Sequence, residues 1–441
     1  MIGKTRLSEE QLSENFADLH PAFSRDEAVS DASKCLFCFD APCMRACPTG
    51  IDVPKFIRQI LHDDPASAAE TILDENILGG SCARACPTEV LCEGACVDRT
   101  LLNAPVQIGR LQRYATDYAA LNNLRFFAPG SATGKSVAII GSGPAGLACG
   151  FALRRSGHAV TMFEARDIPG GLNTHGISAY KISTEFSLSE IEPILEMGID
   201  LHLDHYVDAN ELARLRQEYD AVLVAVGLGS TSRLNIPGED MEGVVESLDF
   251  IFQTHTGPLV NCEVGDQVLV LGAGNTAADV ATQAVRLGAS SVTMAYRRTD
   301  REMSAFAYEY ELCKADGIEF RWRVQPIEFV ETNGKLSGVR MQRVELVGEG
   351  REAHLEPVTG SEFVLPCDMA IKALGQIPVL ELIGETGLDP GALKLDDRGT
   401  TSVDGLFIGG DCTHTGAEIV DAVQDGKMAA AGIDAYLRGN S

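Results

Sequence analysis

A dense run of cysteines near the N-terminus constrains this chain more than any other feature. Eight of its 13 cysteines lie in one stretch, and two of them are followed by proline. Thiolates a few residues apart, with Cys-Pro close behind, are typical of loops that wrap cuboidal iron–sulfur clusters. Structural zinc sites use paired knuckles instead, and disulfide frameworks belong to short secreted chains. The stretch is Cys35-x2-Cys38-x4-Cys43-x3-Cys47-Pro48, then Cys82-x3-Cys86-Pro87-x4-Cys92-x3-Cys96.

These eight cysteines match the eight ligands that two 4Fe–4S clusters need, but the spacing does not fix how they divide. In bacterial ferredoxins the fourth cysteine of a run ligates the other cluster. By that logic Cys47 belongs to the second cluster and one late cysteine belongs to the first. Spacing alone favours Cys82 as the remaining ligand of the second cluster.

Charge and hydropathy exclude two classes of function. The formal charge of −27 over 441 residues argues against a nucleic-acid-binding protein, because such proteins present a basic face. No apolar run is long enough to span a membrane, and no apolar signal core follows Met1 to Arg6. We therefore expect free thiols, a cytoplasmic location, and neither nucleic acid nor membrane as a partner.

Helix signals fill the N-terminal part of the chain, so the cysteines are expected on loops between helices. Cap residues paired with proline start two helices, and a third has one apolar side. The expected boundaries are Asp52 with Pro54, then Asp64-Pro65 to Gly79-Gly80, then Gln107 to about Leu121. The apolar side of the third helix is Ile108, Leu111, Ala115 and Tyr118.

A nucleotide-binding turn follows the Gly/Ser/Thr-rich linker Pro129 to Gly134. The apolar strand Val137 to Ile140 leads into Gly141-Ser142-Gly143-Pro144-Ala145-Gly146, and a helix and a strand ending at Glu164 come next. This order with a terminal acid is the fingerprint of a dinucleotide fold. The first two glycines let the backbone approach a pyrophosphate at the helix N-terminus, and the third lets helix pack on strand. Glu164 is expected to accept hydrogen bonds from ribose hydroxyls.

A second copy of the pattern lies further along the chain. The strand Val268 to Leu271 meets the turn Gly272-Ala273-Gly274-Asn275-Thr276-Ala277, and the next strand ends at Tyr296. Two such folds indicate two dinucleotides, most simply FAD and a nicotinamide cofactor. Arg297-Arg298 replaces the acid expected after the second strand. Arginines there suit a 2′-phosphate or cover the adenine face, so NAD and NADP both stay open.

The C-terminal segment supplies the piece that the first fold lacks. Leu406 to Ile408 is a strand ending in Gly409-Gly410-Asp411, and a helix is expected from about Gly416 to Leu437. Asp411 is placed either to hold a flavin ribityl chain or to cap the helix. We predict an α+β multidomain chain with an all-α iron–sulfur domain at 1–130 and two Rossmann-like domains. The first of these binds FAD at 131–251 and 376–441, and the second binds NAD(P) and is inserted at 252–375.

The whole chain resembles the FAD and iron–sulfur half of dihydropyrimidine dehydrogenase, including the separate bacterial NAD-dependent subunit. It is also similar to the small subunit of glutamate synthase. That subunit tends to have a shorter gap within its second cysteine group. The segments that favour the pyrimidine enzyme are Cys86-Pro87-Thr88-Glu89-Val90-Leu91-Cys92 and Cys47 to Ile57.

The resemblance implies a crossed ligation of the two clusters. Cluster 1 would be held by Cys35, Cys38, Cys43 and Cys96, and cluster 2 by Cys47, Cys86, Cys92 and Gln112. Cys82 would then be a spare thiol. An amide in place of a thiolate removes one negative charge, which is expected to raise the potential of that cluster.

The resemblance also implies the nucleotide contacts. For FAD they are Gly141, Gly143, Pro144, Ala145, Gly146, Glu164, Gly171, Leu172, Lys181, Gly410, Asp411, Glu418 and Ile419. For NAD(P) they are Gly272, Ala273, Gly274, Asn275, Thr276, Arg297, Arg298, Ala373, Leu374 and Gly375. The chain departs from the family at Ser178, where proline is frequent, and at Ser304, where NADP-using enzymes place a second arginine. The second departure, with the NAD use expected of separate bacterial subunits, favours NAD(H).

The function implied is electron input to a dihydropyrimidine dehydrogenase. NAD(P)H gives a hydride to FAD, and the two clusters pass single electrons to an FMN and iron–sulfur partner subunit. That partner reduces the CH–CH bond of uracil or thymine, and a heterotetramer is expected. No catalytic acid–base residue is assigned, because hydride transfer to flavin demands none. The alternatives are a glutamate synthase small subunit, a free-standing NAD(P)H:ferredoxin-type reductase, and a redox-sensing or scaffold module with structural clusters.

Overall fold

The computed structural model describes residues 7–348, 354–378, 382, 384, 396, 398–413 and 418–439. The chain divides into two compact units. The first comprises Met1–Asp18, His175–Tyr180 and Ser230–Ile377, and the second comprises Leu19–Thr174, Lys181–Gly229 and Pro378–Ser441. Among the described residues, no helix is both long enough and apolar enough to cross a membrane.

The N-terminal part of the chain, described from residue 7 onward and including the cysteine stretch, forms eight helices. All of them except the first belong to the second unit. Phe56, Ile57 and Leu111 lie at the centre of their apolar core, each at most 1% exposed. The helices are α1 (Glu9–Asn15), α2 (Arg25–Ala32), α3 (Pro42–Arg45), α4 (Val53–Leu61), α5 (Pro65–Glu75), α6 (Gly79–Ala85), α7 (Val97–Leu102) and α8 (Ile108–Leu121).

The predicted helix starts in this region are confirmed. The carboxylate of Asp52 accepts a hydrogen bond from the Lys55 N–H at 3.1 Å and so caps α4. Asp64 caps α5 in the same way, since it accepts from the Ser67 N–H at 3.1 Å. Each cap satisfies a backbone donor that the first turn of a helix leaves unpaired.

The predicted role of Gly79 and Gly80 is wrong, because they begin α6 and do not end α5. A Cβ on Gly79 would lie 2.5 Å from Ile72 Cγ2, and one on Gly80 would lie 2.7 Å from Phe186 Cζ. These glycines therefore serve close packing rather than helix termination.

Two further expectations for the helical region need correction. Cys43 lies within α3 and Cys82 within α6, so not every cysteine is on a loop. Tyr118, predicted on the inward side of α8, is 38% exposed. A tyrosine has an apolar ring and a polar hydroxyl, so partial exposure leaves its hydroxyl in contact with water.

A parallel sheet organises the rest of the second unit, with strand order β16-β4-β1-β2-β3. Its strands are β1 (Ser136–Ile140), β2 (Ala159–Phe163), β3 (Ile199–His202), β4 (Ala221–Val224) and β16 (Leu406–Ile408). The central strands are apolar on both faces, as expected of a sheet covered by helices. The helices are α9 (Pro144–Arg155), α10 (Leu172–His175), α11 (Thr184–Leu195), α12 (Ala209–Glu218) and α16 (Ile419–Leu437).

A second parallel sheet lies in the first unit, with strand order β6-β14-β7-β8-β9. Its strands are β6 (Val244–Glu246), β7 (Gln267–Leu271), β8 (Ser291–Tyr296), β9 (Glu319–Trp322) and β14 (Met369–Lys372), accompanied by α13 (Ser247–Thr256), α14 (Asn275–Arg286) and α15 (Ala307–Ala315). An antiparallel sheet follows, formed by β10 (Val324–Thr332), β11 (Lys335–Val347), β12 (His354–Pro357) and β13 (Phe363–Pro366).

The chain passes from one unit to the other after Gly229 and after Ile377, whereas the predicted domain boundaries follow residues 251 and 375. Short strands β5 (Leu228–Thr231) and β15 (Gln376–Pro378) occur where the sequence passes from one unit to the other. The strand β6 belongs to the second sheet, although the predicted division at residue 251 assigns it to the FAD-binding domain. The exact domain limits stay a prediction. The expected start of the last helix, near Gly416, lies outside the described residues.

Candidate functional site

Four thiols of the cysteine stretch line one cavity. They are Cys35, Cys38, Cys43 and Cys96. Burial raises the pKa of the Cys35 thiol and raises that of Cys43 to about 11. Thiols that are hard to ionise by themselves lose their protons to a metal that binds them. The cavity therefore fits an iron–sulfur cluster, and it brings together the four residues predicted for cluster 1.

A second set of thiols forms a separate group around α6. The hydrogen bond with Cys82, with burial next, raises the pKa of Cys86, and the nearby thiols of Cys92 and Cys47 add to the shift. Burial also raises the pKa of Cys92. The Cys47 Sγ lies 3.3 Å from Thr49 Oγ1. The three cysteines predicted for cluster 2 are thus neighbours.

Cys82 and Gln112 are the two candidates for the fourth ligand of cluster 2. Cys82 is 3% exposed, contacts Cys86, and its Sγ accepts a hydrogen bond from Asn76 Nδ2 at 3.2 Å. Gln112 is 7% exposed on α8, and its Nε2 donates to the Gly79 carbonyl at 2.6 Å. Gln112 therefore meets the N-terminal end of α6, while Cys82 lies beside the thiols.

The described part of the chain holds no group of three His, Cys, Asp or Glu side chains arranged for a single metal ion.

The first glycine turn has the geometry that its spacing predicts. Gly141 has a φ of +103°, and a Cβ there would lie 2.4 Å from the Ala225 carbonyl oxygen. A Cβ on Gly146 would lie 2.0 Å from the Gly141 oxygen, so this glycine lets α9 pack onto the turn. A Cβ added to Gly143, at the N-terminus of α9, would have no other atom within 4 Å. That open backbone fits the approach of a dinucleotide pyrophosphate.

Glu164 has a contact that the sequence did not predict. Its Oε2 accepts hydrogen bonds from the Ser142 N–H at 3.0 Å and the Ser142 hydroxyl at 2.6 Å. Its Oε1 accepts from the Arg166 N–H at 3.0 Å. Glu164 is 8% exposed. Its hydrogen bonds to Ser142 hold the glycine turn in place.

Other residues predicted for FAD lie against this turn. A Cβ on Gly171 would lie 2.9 Å from the Cα of Gly143, and one on Gly410 would lie 2.8 Å from the Cβ of Ala145. Both glycines thus permit close backbone approach. Of the remaining residues, Leu172 begins α10, Lys181 is half-buried in a turn, Asp411 begins a 3₁₀ turn, and Glu418 and Ile419 are the cap and first residue of α16.

The second glycine turn is built on the same plan. Gly272 has a φ of +140°, and a Cβ there would lie 2.1 Å from the Ala373 carbonyl oxygen. This contact places Ala373, ahead of Leu374 and Gly375, directly beside the turn. Gly274 caps α14, which begins with Asn275 and Thr276, and the Asn275 Oδ1 accepts from the Phe306 N–H at 3.0 Å.

The two arginines predicted for the nicotinamide cofactor follow β8. Arg297 is exposed and Arg298 is half-buried. The Arg298 carbonyl accepts a hydrogen bond from the Arg323 N–H at 3.1 Å. The guanidinium of Arg297 is therefore accessible at the carboxyl edge of the sheet, where parallel α/β folds bind ligands.

Family models match both parts of the chain. Residues 12–124 match the family described as dihydropyrimidine dehydrogenase domain II, 4Fe–4S cluster. Residues 135–426 match the family of pyridine nucleotide-disulphide oxidoreductases.

Curated relatives match along nearly the whole length. The glutamate synthase [NADPH] small chain of Escherichia coli is 35% identical over 96% of this chain and 94% of its own. The NAD-dependent dihydropyrimidine dehydrogenase subunit PreT of the same organism is 35% identical over 97% of this chain and 98% of its own. Identity therefore does not separate the two relatives.

Among solved structures, FprA of Mycobacterium tuberculosis in complex with NADPH has a TM-score of 0.56. It is 20% identical and covers 69% of this chain and 85% of its own. At this identity the likeness shows the fold alone.

The fold and these matches define an iron–sulfur flavoprotein oxidoreductase. The predicted fold class and cofactors, FAD, NAD(P)H and 4Fe–4S clusters, are confirmed. The chain belongs to the pyridine nucleotide-disulphide oxidoreductase family, with the group that includes the PreT subunit and the glutamate synthase small chain.

Proposed function

We propose that this chain is the electron-input subunit of a dihydropyrimidine dehydrogenase. It takes a hydride from NAD(P)H and delivers single electrons to a partner subunit that reduces uracil or thymine. The observation that carries the proposal is the cavity lined by Cys35, Cys38, Cys43 and Cys96, in a chain that also has two dinucleotide turns. Its relatives' names describe single subunits of larger enzymes, which supports a partner.

Bound flavin would convert a hydride into single electrons, and bound clusters would carry those electrons onward. The chain's own residues bind and orient these groups. The N-terminus of α9, with the open backbone of Gly143, holds the FAD pyrophosphate, and Glu164 keeps that turn in shape. The N-terminus of α14 does the same for the nicotinamide dinucleotide through Gly274.

Apolar side chains line the cavity in which cluster 1 would be held. Val53, Ile57 and Ile108 line the cavity of the first cysteine group, and they give it apolar walls. Such walls limit solvent access to a cluster and help to set its potential. Cluster 1 is assigned Cys35, Cys38, Cys43 and Cys96, and cluster 2 Cys47, Cys86 and Cys92 with Gln112 as fourth ligand.

NADH is the proposed reductant in preference to NADPH. Arg297 is exposed directly after β8, and Arg298 beside it is half-buried. Ser304 stands where a second arginine would give the bidentate grip that a 2′-phosphate favours. Its N–H is bound to the Ala273 carbonyl of the glycine turn, so the position lies at the cofactor edge.

A glutamate synthase small subunit is the second candidate, because a relative of that name is 35% identical over nearly the full length. The two proposals share the reductase and differ only in the partner.

The test is an anaerobic assay of the purified chain with the protein encoded beside it. Oxidation of NADH that requires both proteins and uracil supports the first proposal, and a parallel assay with NADPH names the nicotinamide. Oxidation that requires 2-oxoglutarate and glutamine instead supports the second candidate. Full turnover by the chain alone with a soluble acceptor contradicts both.

A further inference from the structure

A half-buried carboxylate connects the second cysteine group to a helix that packs on the parallel sheet of the same unit. Glu190 lies on α11, and its Oε1 accepts the Gly80 N–H at 2.6 Å. Its Oε2 accepts the Ser81 hydroxyl at 2.5 Å and the Ser81 N–H at 3.1 Å. Gly80 and Ser81 form the first turn of α6, directly before Cys82. The carboxylate therefore fixes the N-terminus of the helix that leads to Cys86.

Asn173 reinforces this junction from the turn predicted to contact flavin. Its Nδ2 donates to the Ser81 hydroxyl at 3.0 Å and to the Ser187 hydroxyl at 3.1 Å. The Thr174 hydroxyl lies 2.8 Å from that of Ser187. All four side chains are at most 2% exposed. Asn173 directly follows Gly171-Leu172, so the network runs from that turn to α6.

A lysine makes a second junction, to the loop that carries Cys47, a thiol of the second cysteine group. Lys427 lies on α16, and its Nζ donates to the Thr49 carbonyl at 3.2 Å. It also donates to the carbonyl and the carboxylate of Glu75, both at 2.7 Å. Thr49 contacts the Sγ of Cys47. Lys427 thus holds the loop of Cys47 against the helix that follows the Gly409-Gly410-Asp411 strand end.

We propose that Glu190 and Lys427 are positioning residues for electron transfer, which fix the second cysteine group at a set distance from the flavin site. The proposal rests on the proposed function, because it requires electrons to pass between these sites. Each contact joins a segment beside a cysteine of that group to a helix that follows residues predicted for FAD, namely α11 after Lys181 and α16 after Gly410-Asp411. Hydrogen bonds and partly exposed ion pairs contribute little net stability compared with apolar packing, but they impose a defined geometry.

The experiment separates the two electron steps in the iron- and FAD-loaded chain. After anaerobic mixing with NADH, the bleaching of the flavin and the later bleaching of the clusters are followed by stopped flow. In Lys427→Met and Glu190→Leu, flavin bleaching should keep its parent rate. Cluster bleaching should slow by roughly tenfold or more, because small displacements of reacting groups cost large factors in rate. Lys427→Arg should recover most of the rate.

The matched control is Ser189→Ala, which removes from the exposed side of α11 a hydroxyl that bonds the Phe186 carbonyl. It should leave both rates unchanged. FAD content, iron content and the EPR spectrum of the reduced clusters are measured for every variant. If Glu190→Leu loses cofactor, Ser81→Ala replaces it as the test of the Glu190 junction, since it removes only one hydroxyl. Its cluster bleaching should then be slower than in the parent.

Parent-like cluster bleaching in Lys427→Met and in Ser81→Ala would overturn the proposal, and so would equal slowing of both steps. A parent chain in which NADH bleaches the flavin but never the clusters would contradict the proposed function itself. The two failures are thereby distinguishable.

Discussion

The backbone N–H of Ser304 donates a hydrogen bond to the carbonyl oxygen of Ala273 at 3.2 Å. A Cβ on Gly274 would lie 3.3 Å from the Ser304 hydroxyl oxygen. The second dinucleotide turn is therefore closed on one side by the residue that the family resemblance relates to the choice between NAD and NADP.

Replacing Ser304 with arginine should shift the nicotinamide preference toward NADPH. A guanidinium there would join Arg297 at the carboxyl edge of the sheet and pair with a 2′-phosphate. We expect the ratio of kcat/KM for NADPH to that for NADH to rise about tenfold, or about 1.4 kcal/mol. Ser290→Arg, at the opposite end of β8, adds the same charge and should leave the ratio unchanged. A ratio that fails to rise in Ser304→Arg would remove this position from the cofactor site.

Glu164→Ala should weaken FAD retention. The substitution removes the acceptor predicted for the ribose hydroxyls and frees the Ser142 N–H and hydroxyl that the carboxylate holds. Hydrogen bonds to a charged group are worth about 1.5–3 kcal/mol, so FAD affinity should fall at least tenfold. FAD retention is measured as the ratio of flavin to protein after dialysis. Glu164→Gln keeps an acceptor oxygen and should retain more flavin, whereas a fully flavinated alanine variant would refute the role.

Gln112→Ala should lose or convert one cluster while FAD stays bound. The resemblance assigns Gln112 as a ligand, and the amide Nε2 bonds the Gly79 carbonyl at the start of α6. Iron analysis and EPR of the reduced chain test this against Cys82→Ala, which should keep both clusters. The reverse result, with iron lost only from Cys82→Ala, would make the buried thiol the fourth ligand.

Glu190 should make stability depend on pH. Burial raises the pKa of Glu190 to about 7, although the Ser81 hydroxyl and the guanidinium of Arg84 act to lower it. Because the folded pKa exceeds the ordinary value of 4.5, the folded state holds its proton more tightly, and stability falls as pH rises from 4.5 to about 7.

Glu190→Gln removes this titration and keeps the acceptor oxygen. The stability of the parent relative to this variant should drop by about 2–3 kcal/mol across that window. Thermal unfolding of the iron-loaded proteins at a series of pH values measures the difference. A constant difference would show that the carboxyl does not titrate there.

The glycine turns were predictable because their geometry is local. Gly141 and Gly272 need positive φ angles beside a neighbouring strand, and no other residue type meets that demand cheaply. The caps of α4 and α5 were predictable for the same reason, since Asp52 and Asp64 bond donors three residues away.

Other features depend on partners that the local sequence pattern does not identify. Gly79 and Gly80 resemble a helix end in sequence. In the structure, their lack of a side chain allows Ile72 and Phe186 to pack against the backbone, and the local pattern does not predict this. The contacts of Glu190 with Ser81 and of Lys427 with Thr49 span even longer separations. The local sequence around a charged residue on an amphipathic helix does not show that its side chain will bond a distant segment.

The cavity lined by Cys35, Cys38, Cys43 and Cys96 also has a consequence for how the chain reaches its native state. Cys96 is separated from the other three by α4, α5 and α6, so a cluster bound there closes a long loop of the unfolded chain. Closing a long loop costs entropy, and metal–thiolate bonds can meet that cost, so we expect cluster assembly and folding of this region to be coupled. Iron supply is then expected to influence how much of the N-terminal region is folded, before any electron is transferred.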